Sequence, residues 1–150
     1  MTDEADFTAF LREAGPRLRR ALASLYGPER GREATAEALA YAWEHWDKIK
    51  TLAYPVRYLY RVGQSKTRTR KDRPIFERSV RDDPWHEPAL GRLLADLPER
   101  QRVAVILIHG FGWTSQEVAE LTGIKVTTVQ NHLERGLAKL RSGLGVTHHA

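Results

Sequence analysis

The sequence predicts an all-α protein built as two small helical domains joined by a short linker. Three observations carry this. Apolar residues recur at three-and-four spacing in several long stretches, and no stretch alternates with the period of two that a strand requires. Glycines and prolines fall where helices start or stop. Between about 72 and 90 the periodicity dissolves into DRPIFERSVRDDPWHEP, with three prolines and mixed charge, which reads as a linker. The expected boundaries are 1–73 for the first domain, 74–89 for the linker and 90–145 for the second domain.

Phe7, Phe10, Leu11, Leu18, Leu22 and Leu25 line one face of a helix over about 4–26, with Pro16 as a candidate kink. After YGPERG, a second helix over about 29–48 turns Leu39, Ala42, Trp43, Trp46 and Ile49 inward. Pro55 suits the first position of a third helix, where its missing N–H costs nothing. Val56, Leu59 and Gly63 then face inward, and Arg57, Arg61, Gln64, Ser65 and Arg68 form an outward stripe. Pro98 opens a further helix with Glu99 near its positive end, and Gly110 and Gly112 close it.

The carboxy-terminal stretch WTSQEVAELTGIKVTTVQNHLERGLAKLR carries the sharpest pattern. Thr114 and Glu117 have capping-box spacing, Val118, Ala119 and Leu121 form a short inner face, and Gly123 supplies a turn. Val126, Val129, Leu133, Leu137 and Leu140 form a second apolar stripe. Short helix, glycine turn, longer helix is the helix-turn-helix order, whose second helix reads a major groove. Lys125, Thr127, Thr128, Gln130, Asn131, His132 and Arg135 are left facing outward, in types suited to base edges and phosphates.

Charge points the same way. Of the 150 residues, 57–81 hold 9 basic and 2 acidic side chains, so the chain's formal +5 is concentrated there. Tyr54, Tyr58 and Tyr60, interleaved with Arg57, Arg61, Lys66, Arg68, Arg70 and Lys71, offer stacking faces among cations, which suits single-stranded nucleic acid. Glu33, Glu37 and Glu44 share a stripe on the second helix that fits either solvent or a docking partner.

The absence of cysteine excludes disulfides and thiolate metal sites and fits a reducing compartment. The longest apolar run, Val103 to Ile108, is far short of the roughly 20 residues of a membrane span, and the acidic amino-terminus lacks a signal-peptide core. The expectation is a cytoplasmic protein with no membrane insertion. A nucleic-acid hydrolase is disfavoured, because the carboxylates are scattered and the six histidines show no ligand spacing.

In these residues the chain resembles a bacterial RNA polymerase sigma factor of the sigma-70 family, in the extracytoplasmic-function (ECF) group, which keeps regions 2 and 4. AEALAYAWEHWDKI and YPVRYLYRVGQS resemble the core-binding and promoter-melting parts of region 2, at about 7–73, and LADLPERQRVAVILIHGFGWTSQEVAELTGIKVTTVQNHLERGLAKLR resembles region 4, at about 90–142. The resemblance implies a non-enzymatic initiation factor without cofactor or metal. It implies that Glu33, Glu37, Trp43 and Glu44 dock on the clamp of the largest subunit of core RNA polymerase. It further implies that Tyr54, Arg57, Tyr58, Arg61, Gln64, Ser65, Lys66, Arg68, Arg70 and Lys71 hold the −10 element as single strand. The helix bearing Lys125 to Arg135 would then read duplex at −35. An anti-sigma factor, which holds many ECF members inactive, is a further candidate partner.

Ala36, Tyr58, Ser65, Thr69, Lys125, Gln130 and His132 depart from the family's usual residues. Ala36, Ser65 and Thr69 motivate an alternative, a sigma-like DNA-binding regulator that does not itself support initiation. Lys125 leaves the reading helix without a side-chain cap, at ~1 kcal/mol, and Gly136 inside it is expected to cost about 1 kcal/mol relative to alanine.

Overall fold

The computed structural model describes residues 2–67, 73–76 and 89–145, and among these only helices and turns occur. Helix α1 (Asp3–Tyr26) starts at Thr2, whose hydroxyl accepts from the Ala5 N–H, and Asp3, Glu4 and Asp6 sit at its positive end. It runs through Pro16 to Gly27, whose φ of 92° ends it. Pro28 is then the first residue of α2 (Pro28–Glu44).

The face of α2 against α1 differs from the expected one. It is built from Gly31, Ala34, Thr35, Ala38 and Ala42, while Trp43 is 48% exposed. Small residues take this face because the backbones nearly touch: a Cβ on Gly31 would lie 2.5 Å from the Ala23 Cα. The helix also stops early. The His45 imidazole bonds to the Tyr41 carbonyl at 3.0 Å and stacks on the Tyr41 ring, and the short α3 (Trp46–Ile49) follows, carrying the buried Trp46 and Ile49.

Helix α4 (Pro55–Thr67) lies across α1 and α2 with Leu59 fully buried and Gly63 against the Leu22 side chain. Arg68, Arg70, Lys71 and most of the linker lie outside the described residues. The part that is described, 73–76, passes over the α1–α2 corner, where the Ile75 N–H reaches the Tyr26 carbonyl.

The second unit begins with α5 (Leu90–Asp96), a short helix beyond the expected elements. Its Leu90, Leu93 and Leu94 pack with Leu97, Val105, Leu133, Leu137 and Leu140. Helix α6 (Glu99–Val105) widens into a π-helical turn over 106–110. Helix α7 (Ser115–Thr122), Gly123 at φ 77° and α8 (Val126–Gly143) complete the helix-turn-helix. The Thr114–Glu117 capping box forms in both directions at 3.0 Å, and Lys125 starts α8 with no side-chain cap.

Gly136 proves to be a packing residue. A Cβ there would lie 2.7 Å from Val105 Cγ2, so α6 and α8 cross more closely than alanine allows.

The two units share one core. Leu18, Leu22, Leu25, Leu59 and Tyr60 of the first are continuous with Val103, Leu107, Trp113, Val118, Leu121 and Val129 of the second. At the seam Arg102 is buried, 7% exposed. Its guanidinium donates to the carbonyls of Ser24 (3.3 Å) and Leu25 (2.9 Å) at the end of α1, and to Leu97 (2.7 Å). Helix α1 has no basic residue in its last turn, so Arg102 supplies from the other unit the cation that its free carbonyls favour.

Candidate nucleic-acid interface

Burial separates the three tyrosines of the basic stretch. Tyr60 is 5% exposed and part of the core, where burial pushes its hydroxyl pKa upward. Tyr58 is half-buried in a polar chain: Lys48 Nζ donates to its hydroxyl at 2.8 Å, and the Tyr41 hydroxyl lies 3.3 Å away. The Lys48 contact, then the Tyr41 contact, draw the Tyr58 pKa below its ordinary value. Tyr54 is 50% exposed, with the Arg57 guanidinium 4.4 Å from its ring centre. Together with Leu52, Ala53 and Arg61 these side chains border an open depression of about 240 Å³ at the start of α4, apolar on its floor and cationic at its rim.

The expected outward stripe of α4 does not face solvent throughout. Arg57 Nε donates to the Glu120 carbonyl of α7 at 2.5 Å, and Arg61 lies against the Gly123 turn. Gln64 lines a cavity between the units, while Ser65 and Lys66 are exposed.

On α8, Lys125, Thr127, Gln130, Asn131 and Arg135 are exposed and Thr128 is half-buried. His132 turns instead toward the inter-unit cavity of about 260 Å³, where both ring nitrogens are shielded and have no hydrogen-bond partner. Burial, then the charges of Arg100 and Arg135, hold its pKa below the ordinary histidine value.

Across α2, Glu33, Glu37, Trp43 and Glu44 are all exposed. Trp43 leans on Phe7, with ring centres 5.0 Å apart, and Phe7 in turn meets Trp46 edge-on. The result is an aromatic ridge beside a row of carboxylates.

Sequence reasoning passed over Arg17, Lys48 and Arg102. Arg17 pairs with Glu117 Oε2 at 2.9 Å while Glu117 Oε1 caps α7, so one carboxylate serves a local and a distant partner. Each acquires the role described here only when segments remote in sequence meet. Among the described residues no cluster of three or more His, Asp or Glu side chains could hold a metal, and no helix is long and apolar enough to cross a membrane.

Comparison with known proteins adds two findings. Residues 88–140 match the family model of sigma-70, region 4. No curated protein matches the chain. Among solved structures, the sigma factor RpoE from Bartonella quintana, crystallised in complex with the anti-sigma factor NepR, is similar at a TM-score of 0.62 and 20% identity. The match covers 95% of this chain and 99% of that one. Residues 88–140 thus carry a sigma-70 region 4, and the chain shares the fold of the sigma factor RpoE over nearly its whole length.

Proposed function

We propose that the chain is a working sigma factor, which binds core RNA polymerase and directs it to promoters by holding the −10 element as single strand and reading −35 as duplex. The observation that carries this is the depression at the start of α4. An exposed ring, Tyr54, stands there with Arg57 and Arg61 around an apolar floor of base-sized volume. Stacking at such a platform is worth about 1–3 kcal/mol per base and tolerates any base, while the cations track phosphates. On α8, Thr127, Gln130, Asn131 and Arg135 are the side chains proposed to meet base edges and phosphates.

The proposed polymerase contact is the ridge of Trp43 flanked by Glu33, Glu37 and Glu44. A partly exposed tryptophan beside carboxylates suits a basic protein surface with an apolar pocket. The similar sigma factor was crystallised with an anti-sigma factor, and a protein of that kind is included among the proposed partners. Nothing in this role calls for bond-making by the chain itself; RNA synthesis belongs to the polymerase.

The test is in-vitro transcription with purified core polymerase and this protein on a pool of genomic promoter fragments, with the RNA starts sequenced. Discrete starts sharing two upstream motifs are expected. Binding to polymerase and DNA without discrete starts would leave a non-initiating regulator, and failure to bind polymerase at any salt concentration would end the proposal.

A further inference from the structure

The two units enclose a cavity for which the proposed role has no use. About 260 Å³ in volume, it lies among α4, α6, α7, α8 and the end of α1, and its lining divides by chemistry. Leu25, Val103, Val118, Leu121 and Val129 are buried and form an apolar floor. Tyr60 and His132 add two rings to the lining, and Gln64 a half-buried amide. Its exposed charged side chains are Arg61, Glu99 and Arg100, two cations and one carboxylate.

The polar groups on this lining are not used up within the protein. Arg61 and Arg100 enter no ion pair among the described residues. His132 has two shielded ring nitrogens without a hydrogen-bond partner. A neutral imidazole carries one donor and one acceptor, and a buried donor left unmade costs free energy that an acceptor brought beside it recovers. A modest turn of the ring toward a guest in the cavity supplies that contact. In size, an apolar cavity of about 150 Å³ already takes up benzene, so this one has room for a ring system bearing a charged group.

From this we infer that the cavity between the units is a binding site for a small aromatic carboxylate, its ring on the floor of Leu25, Val103, Val118 and Val129 and its charge toward Arg61 and Arg100. The lining argues against other classes of guest. A cation would meet two guanidinium groups against one carboxylate, a neutral hydrocarbon would leave those groups and His132 unanswered, and inorganic phosphate would leave the apolar floor uncovered. The site stands independently of the DNA-reading roles and is tested with no nucleic acid present.

The test is titration of the isotopically labelled full-length protein with 2-naphthoate, followed by amide NMR and by thermal melting. Binding at about 1 mM or tighter is expected for a probe of this size. The shifts should cluster on Val103, Val118, Leu121 and Val129, and Tm should rise with probe concentration. Neutral 2-naphthol and inorganic phosphate are each expected to bind at least about tenfold more weakly. Arg100, outside the proposed DNA-reading set, is exposed, so Arg100→Gln is expected to fold normally. It should weaken 2-naphthoate about two- to fivefold and leave 2-naphthol unchanged. Ala104→Leu, which extends a larger side chain from the lining, is expected to block the probe; if circular dichroism shows it unfolded, Arg100→Gln decides.

No saturable shift at about ten times the expected Kd overturns the site. Equal binding of 2-naphthol, or no effect of Arg100→Gln, overturns the carboxylate as the recognised group, and equal binding of phosphate overturns the ring. Shifts that gather on Leu52 and Tyr54 place the guest in the depression at the start of α4 and overturn the cavity as its seat.

Discussion

Gly136→Ala is a perturbation for which helix propensity and packing predict opposite signs. In the interior of α8 an alanine is worth about 1 kcal/mol over glycine by propensity, so a reading of the helix alone predicts stabilisation. The tertiary structure reverses it. The new Cβ would stand 2.7 Å from Val105 Cγ2 and 3.3 Å from both the Cβ and the carbonyl oxygen of Gln101. Val105 and Gln101 are buried, and a valine on a helix has essentially one χ1 rotamer to offer. Overpacking of this kind costs about 1–3 kcal/mol. Setting ~2 kcal/mol of strain against ~1 gained leaves a net loss of about 1 kcal/mol, or a few degrees in Tm for a chain of this size.

The assay is urea unfolding of four proteins: wild type, Gly136→Ala, Val105→Ala and the double variant. Truncating Val105 removes the clashing methyl, so in that background Gly136→Ala is expected to stabilise by about 1 kcal/mol, giving a coupling near 2 kcal/mol. If Gly136→Ala stabilises the wild type by ~1 kcal/mol and shows no coupling, the close crossing of α6 and α8 is wrong, and with it the orientation of α8.

Tyr54→Ala is expected to weaken binding of a single-stranded oligonucleotide by about 1–3 kcal/mol, read by fluorescence anisotropy, with duplex binding and Tm unchanged because the ring is half-exposed. Trp43→Ala is expected to weaken core polymerase binding by at least about tenfold while leaving helicity intact; equal affinity would remove the ridge on α2 from the contact. The Glu117 carboxyl is held below its ordinary pKa by the Thr114 backbone N–H first and by Arg17 second. A carboxyl with a lowered folded pKa contributes stability that is complete above its unfolded value and lost as pH falls through the folded one. Melting followed between pH 3 and 6 is therefore expected to show a loss below about 4.5 that Glu117→Gln lacks.

What was legible in the sequence had local causes. The span of α1, the proline at the start of α4, the Thr114–Glu117 box and the Gly123 turn each rest on residues within four of one another, and each forms. Helix α5 carried its own signal in Leu90, Leu93, Leu94 and Leu97, but its seven residues are too few to show a sustained period, and the start of the second domain was assigned no helix there. The face of α2 was misjudged because large apolar residues weigh most in a periodicity, whereas close approach to α1 selected glycine and alanine. The proposed site was legible in composition but not in arrangement. Nothing local distinguishes Tyr60 in the core from Tyr54 in the open, or reveals that Arg102 caps a helix some 80 residues earlier.

The corner at Gly27 ties together more than two helices. A Cβ there would lie 1.8 Å from the Ile75 carbonyl oxygen, so the backbone of 73–76 is moored directly on the α1–α2 turn. The same segment reaches the second unit, where Arg73 pairs with Asp96 and donates to the Arg92 carbonyl at 3.1 Å, and where a Cβ on Gly91 would lie 3.0 Å from the Phe76 carbonyl oxygen. Four residues thus clasp both units from outside the apolar core, and a side chain added at Gly27 or Gly91 would press on the clasp from either end.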